Sequence, residues 1–242
     1  MVKIQTCIFT IEDAVTAIDT IEFKVISKTI VGPYTLLSLK TQDEYQQNPG
    51  QYCIVHYKVG DHEFTRPYSI SSEPRRDGVI ELCVMHSGDE QTAQAIQAIS
   101  EGSSLDISPA GGRFQIPPHD QAACFIAGGS GITPLRSMIR WRLNQSQQGT
   151  TLLYGCKKGD EIPYYEDFAK LCEEHKNFKV MFYSEENLSE AVLKGHPLTH
   201  FNDFADKDCQ YFLCGPPPMV EAAKASFGNY NIPETQVHTD RY

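Results

Sequence analysis

The 242-residue sequence contains no apolar run that approaches the roughly 20 residues needed to cross a bilayer. Its first residues, Met1-Val2-Lys3-Ile4-Gln5-Thr6, lack the cationic lead and apolar core of a secretion signal. These two absences give the expectation of a cytoplasmic protein with no membrane span. Basic charge is also scarce: 21 Lys and Arg stand against 31 Asp and Glu, for a net charge of -10. A polyanion binder carries a basic face, so nucleic acid is not expected as a partner, and an acidic carrier protein would need a local basic patch to approach. Nor is there a Cys-x-x-Cys among the eight cysteines, which lie at Cys7, Cys53, Cys83, Cys124, Cys156, Cys172, Cys209 and Cys214. Iron–sulfur ligation needs several thiolates presented by one tight loop, so no metal centre is expected and most of these thiols read as small buried hydrophobes in a reducing compartment. Internal repeats and low-complexity segments are missing as well. What remains is ordinary globular composition, 40% hydrophobic and 21% charged, in a chain long enough for two cores.

The hydrophobic grammar changes part-way along. From about Ile21 to Phe114, short apolar stretches alternate with turn residues, as in Ile21–Ile26, Tyr34–Leu39, Gln51–His56 and Val79–Val84. This spacing predicts antiparallel strands of a β-barrel, interrupted by one helix over about Gln91 to Ile99. After Pro117-Pro118 the pattern becomes strand–helix alternation: strands at Ala122–Ala127, Thr151–Tyr154, Phe178–Tyr183 and Tyr211–Cys214, and helices beginning after Gly131, at Tyr165 and at Met219. Apolar strands alternating with helices imply a parallel sheet covered on both faces. The expected architecture is therefore an antiparallel β-barrel over 1–117 followed by an α/β parallel-sheet domain over 118–242.

Three motifs carry chemistry. Gly128-Gly129-Ser130-Gly131-Ile132-Thr133-Pro134 follows a strand and opens a helix, where unpaired N–H groups and the helix dipole favour a pyrophosphate. Thr133 is expected to cap that helix and Pro134 to sit in its first turn. The spacing departs from the common dinucleotide fingerprint, and a tight connection would explain the glycines as well. Cys214-Gly215-Pro216-Pro217-Pro218-Met219 lies at the carboxyl end of a parallel strand, where ligands bind in such sheets, or is a proline-stiffened turn beside a buried thiol. Arg66-Pro67-Tyr68-Ser69-Ile70-Ser71-Ser72 puts Arg66 and Tyr68 on one strand face. There a guanidinium suits phosphate and a phenol suits a planar ring, unless they are a surface arginine and a core tyrosine.

Their occurrence together and in this order resembles the ferredoxin–NADP reductase superfamily, which includes flavin, cytochrome b5 and oxygenase reductases. The resemblance runs from about Ile21 to Tyr242, and Pro49-Gly50-Gln51-Tyr52 and Gly111-Gly112-Arg113-Phe114 add to it. It implies FAD and NADH (or NADPH) as cofactors. By this resemblance Arg66 meets the flavin pyrophosphate, Tyr68 packs on the isoalloxazine, Ser69 faces the flavin nitrogen that receives hydride, and Pro67, Ile70, Ser71 and Ser72 complete the flavin motif. Thr92 would meet the pyrophosphate, with His86 where a basic residue is common. Gly128, Gly129, Ser130, Gly131, Thr133 and Pro134 would hold the nicotinamide pyrophosphate. Cys214, with Gly215, Pro216 and Met219, would wall the hydride-transfer face, and Tyr242 would cover the flavin.

For the nucleotide's 2′ position, Tyr183-Ser184-Glu185-Glu186 places two carboxylates where a phosphate-binding cation would stand. NADH is expected over NADPH, with Lys157 and Lys158 arguing the other way. The expected partner is an electron-acceptor protein of ferredoxin, oxygenase or cytochrome type. Reduction of free flavins or another small oxidant, and a non-catalytic flavin- or nucleotide-binding subunit, are the alternatives. Dihydroorotate dehydrogenase electron-transfer subunits resemble the same family but carry a cysteine cluster that this chain lacks. Nothing in the residues indicates an oligomeric state.

Overall fold

A computed structural model describes residues 19–59, 62–86, 90–117, 120–159, 161–186 and 190–240. The first half forms β1 (Ile21–Val31), β2 (Tyr34–Lys40), β3 (Tyr52–Val59), β4 (His62–Ser69), β5 (Val79–Met85), helix α1 (Glu90–Ala98) and β6 (Ser104–Ile107). These strands make one antiparallel sheet in the order β4-β3-β6-β1-β2-β5. Alternation drives it: Phe23 and Val25, Leu37 and Leu39, Cys53 and Val55, and Leu105 and Ile107 all point into one buried core. The sheet curls until its end strands meet just past β4, where Ile70 bridges to Leu82 and the Ser71 N–H donates to the Glu81 carbonyl at 2.8 Å. Strand β6 has only four residues and lies in a Gly/Ser-rich stretch, so periodicity did not announce it.

The second half forms β7 (Ala123–Gly128), α2 (Ile132–Gln145), β8 (Thr150–Lys158), α3 (Tyr165–Glu174), β9 (Phe178–Glu186), β10 (Val192–Lys194), β11 (Gln210–Cys214), α4 (Pro217–Phe227) and β12 (Val237–Asp240). All pairings in this sheet are parallel, in the order β10-β9-β8-β7-β11-β12. Strand β7 shows why its run is continuously apolar. Phe125 and Ala127 enter the core beneath α2 and α3, while Cys124 and Ile126 enter the opposite core with Phe227 of α4. Strands β10 and β12, of three and four residues, enlarge the expected four-stranded sheet to six. Among the described residues no helix is long and apolar enough to cross a membrane.

Candidate active site where two loops cross

The chain runs outward from β7 through β8 and β9 to β10, then returns to place β11 on the other side of β7. The reversal point therefore lies between β7 and β11, and ligands of open α/β sheets bind beyond the carboxyl ends of strands at such a point. Two of the motifs meet there. A β-carbon added to Gly131 would lie 2.0 Å from the Cys214 carbonyl oxygen and 2.7 Å from the Gly215 nitrogen. One added to Gly128 would lie 2.6 Å from Met219 Sδ and 3.0 Å from Pro216 Cδ. Gly129 adopts φ +55°, a conformation that glycine takes at no steric cost. The glycines thus serve a close crossing of two loops as well as a turn.

Helix α2 starts at Ile132, two residues before the start that a Thr133 cap would give, and this corrects the capping role given to Thr133. Gly131 occupies the cap position without a side-chain bond, and the Thr133 hydroxyl donates back to the Ser130 carbonyl at 2.8 Å. Pro134 falls in the first turn as expected. The first N–H groups of the helix consequently have no side-chain cap, which leaves that end suited to an anion.

Beyond the crossing, a cleft of about 720 Å³ opens between the halves. Gly128, Gly129, Pro216 and Met219 line one end, Gly155 to Lys158 and Glu185 the middle, Gly195 to Pro197 the far wall, and Pro33, Tyr34 and Met85 the barrel side. The charges at its mouth balance. Lys158 pairs with Glu161 at 3.1 Å, and Glu185 stands in the same wall as Lys157. Gly155 is needed because Pro197 lies where its side chain would go, 2.5 Å from an added β-carbon. His196 and Pro197 were missed by sequence reading, since the short β10 that presents them has no periodic signature.

Cys214 is buried. Burial, with the Asp240 carboxylate on the neighbouring strand adding to it, pushes its thiol well above the usual range. A protonated thiol is a poor nucleophile, so the side chain can shape this wall but is not set for covalent attack.

The flavin motif lies on β4. Arg66 and Pro67 are exposed, and Tyr68 and Ser69 are half-buried. Among the described residues the edge carrying Arg66 to Ser69 forms no ladder with β5, the link between the two coming just after it at Ile70–Leu82. A guanidinium, a phenol ring and a hydroxyl along an open sheet edge form a donor set that fits a dinucleotide carrying a planar ring. Ser71 and Ser72 depart from the expected binding role. Both are fully buried and engaged by protein: Ser71 Oγ donates to the Glu81 carbonyl at 2.9 Å, and Ser72 Oγ accepts the Glu81 N–H at 3.1 Å. His86 likewise has its ring nitrogens on Thr35 and Gln97, at 2.6 and 3.1 Å. Burial and nearby Lys28 lower its pKa, which disfavours a cationic contact at this position. Thr92 lies in the first turn of α1, although its side chain, like the whole of Tyr242, is outside the described residues.

A cluster that sequence reading missed joins the halves. Arg136 of α2 donates to the Ser71 carbonyl at 2.9 Å, to Glu81 at 2.6 Å and to Asp167 at 2.7 Å, and lies 4.1 Å from the Tyr164 ring centroid. Arg140 reaches Glu73 and Asp167, both at 2.6 Å. Burial opposes the charge on Arg136, but Tyr164, Glu81 and Asp167 keep its pKa above the ordinary value. The i, i+4 arginine pair was the available signal, because it shares a helix face with apolar neighbours rather than with solvent.

Residues 22–116 match the oxidoreductase FAD-binding domain family, and residues 125–225 match the oxidoreductase NAD-binding domain family. The chain belongs to the ferredoxin–NADP reductase superfamily. It carries an oxidoreductase FAD-binding domain followed by an oxidoreductase NAD-binding domain. The chain is 31% identical over 233 residues to the phenol hydroxylase P5 protein of Acinetobacter pittii, covering 92% of this chain and 64% of that protein. It is 28% identical over 223 residues to a component of the Na(+)-translocating NADH-quinone reductase of Haemophilus ducreyi, covering 82% and 54% respectively. The chain thus spans 54% to 64% of the length of these relatives. The fold is shared with the cytochrome P450 reductase GcoB of Amycolatopsis (TM-score 0.83, 22% identity, 92% of this chain and 69% of that one). It is shared also with the flavohem-like FAD/NAD-binding domain of nitric oxide dioxygenase from Vibrio cholerae (TM-score 0.81, 19% identity, 93% and 99%).

Proposed function

We propose that this reductase takes hydride from NADH onto FAD and passes the electrons to a separate acceptor protein of ferredoxin, oxygenase or cytochrome type. The observation that carries this reading is the crossing of the Gly128–Pro134 and Cys214–Met219 loops at the sheet's reversal point, with the cleft opening from it toward the barrel. FAD supplies the redox chemistry that no side chain here offers, accepting an electron pair and releasing electrons to other carriers. Residues 1–117 would bind it, through the Arg66 guanidinium on the pyrophosphate, Tyr68 against the ring system and the Ser69 hydroxyl beside the reacting nitrogen. Residues 118–242 would bind NADH, with the open start of α2 on its pyrophosphate.

The chain's contribution to transfer is alignment, since hydride moves only between rings held close and oriented. Cys214, Gly215 and Met219 would form the wall that keeps the nicotinamide in register. Cys214→Ala is therefore expected to slow flavin reduction about tenfold or more while FAD remains bound, as misplaced rings lose rate steeply. Rapid-mixing measurement of flavin bleaching by NADH tests this, and bleaching at the wild-type rate would remove Cys214 from the transfer wall.

The preference for NADH rests on the balanced charges of the cleft, where Lys158 is held by Glu161 and Glu185 lines the same wall as Lys157. A 2′-phosphate would meet no surplus of positive charge there, whereas a carboxylate can accept bonds from ribose hydroxyls. The expected result is a kcat/KM for NADH about tenfold or more above that for NADPH, from a charge-assisted contact of about 1.5–3 kcal/mol. A tenfold preference for NADPH overturns the assignment. The acceptor class is tested by steady-state turnover. Faster reduction of a ferredoxin or cytochrome than of free FMN supports the protein acceptor, and the reverse order makes this a free-flavin reductase. The phenol hydroxylase P5 protein supports looking first for an oxygenase component, by likeness to a protein of that name.

A further inference from the structure

Three consecutive residues, the last two of the flavin motif and the one after it, are grasped by one face of α2. Arg136 takes the Ser71 carbonyl, Ser137 Oγ donates to the Ser72 carbonyl at 2.6 Å, and Arg140 takes the Glu73 carboxylate. Tyr164, at the start of α3, adds a bond between its hydroxyl and Ser71 Oγ at 2.8 Å. The Tyr164 backbone sits at φ +64°, a conformation that costs a non-glycine residue free energy and persists only where its surroundings hold it. Arg136 and Ser137 are almost fully buried. At its other end, α2 begins directly from Gly131, the residue in contact with the Cys214–Gly215 backbone. A single 14-residue helix, about 21 Å long at 1.5 Å per residue, is thus fixed to the nucleotide loop at one end and to the flavin strand along its side.

We infer that Arg136 is a positioning residue for hydride transfer: through Ser71 it sets where the flavin strand stands relative to the nucleotide loop, and it makes each site sense occupancy of the other. The inference rests on the placement of FAD and NADH proposed above. Apolar packing alone could hold two domains together. A buried guanidinium with three oxygen acceptors, from the Ser71 segment, β5 and α3, and a ring beneath it is costly unless all are satisfied, so the arrangement tolerates one relative position. Coupling between two sites is reciprocal in binding free energy, so NAD+ bound at the loop must alter the environment of the flavin.

The test uses the FAD-loaded protein and the variants Arg136→Met and Ser137→Ala. Visible circular dichroism of the bound flavin is recorded with and without NAD+, which binds without turnover, and flavin reduction by NADH is followed by rapid mixing. In the wild type, NAD+ is expected to shift the flavin signal. Arg136→Met should retain FAD, yet lose that shift and reduce flavin about 100-fold more slowly, the order expected of a misplacement near 1 Å. Ser137→Ala deletes one hydroxyl and should show a smaller loss in both readouts, and it carries the test if Arg136→Met fails to fold. A wild-type shift and wild-type reduction rate in both variants, or in Ser137→Ala where it alone folds, overturn the inference. Failure of the underlying site placement looks different: Arg66→Ala would then keep FAD and Cys214→Ala would reduce it normally.

Discussion

Gly131→Ala is expected to abolish flavin reduction by NADH and to lower the melting temperature of the FAD-loaded protein. An alanine methyl would have to lie 2.0 Å from the Cys214 carbonyl oxygen and 2.7 Å from the Gly215 nitrogen, both backbone atoms. No rotamer relieves such a contact, because the added atom is the β-carbon itself. Gly131 has φ -60°, so the backbone conformation suits alanine and the whole effect is steric. The neighbours cannot yield easily, since Cys214 ends β11 in full register with Ala127 on one side and Asp240 on the other. Relief would spread the two loops apart and tilt the start of α2, at a cost of about 1–3 kcal/mol or more from overpacking. Thermal unfolding and rapid-mixing reduction measure the two effects. A variant that melts and reduces like the wild type would show that the loops do not cross as closely as described.

The second large effect is on cofactor retention. Arg66→Ala should purify largely without FAD, with the affinity of the apoprotein for added FAD weakened about 10- to 150-fold, the equivalent of a charge-assisted interaction of about 1.5–3 kcal/mol. The side chain stands on the open edge of β4, and its removal leaves the barrel core of Phe23, Leu39 and Val55 untouched. Stability of the apoprotein should therefore be unchanged while flavin is lost, and this separates a binding role from a structural one. Arg66→Lys keeps the charge but not the planar fork, and should fall between the two. The flavin-to-protein absorbance ratio and a fluorescence titration with FAD supply the numbers. FAD bound at wild-type affinity by Arg66→Ala would move the pyrophosphate site elsewhere on the barrel.

Much of the architecture was legible because burial imposes a period. Strands β2, β3 and β5 place an apolar side chain inward at alternate positions, and β7, with β11 from Tyr211 onward, is apolar because both faces are covered. The short strands were not legible for the same reason. Three or four residues in β6, β10 and β12 are too few to establish a period, and pairing with a partner far along the chain defines them. At the site, the glycine loops stood out because glycine records where a backbone must approach something closely. The partners of Ser71, Ser72 and His86 left no such record. A serine reads alike whether its hydroxyl meets a ligand or, as with Ser71, the hydroxyl of Tyr164 some 93 residues away. The arginines of α2 were hidden by the habit of charged helical residues to face water, which Arg136 does not do.

The raised pKa and burial of Cys214 bear on durability. A flavin that leaks electrons to dioxygen generates peroxide beside its own active site, and peroxide attacks thiolates far faster than thiols. A cysteine kept protonated there fills a polarizable, sulfur-sized space without becoming the first casualty of such leakage. The same thiol should resist alkylating reagents in the folded protein and become modifiable only once the sheet between β7 and β12 opens.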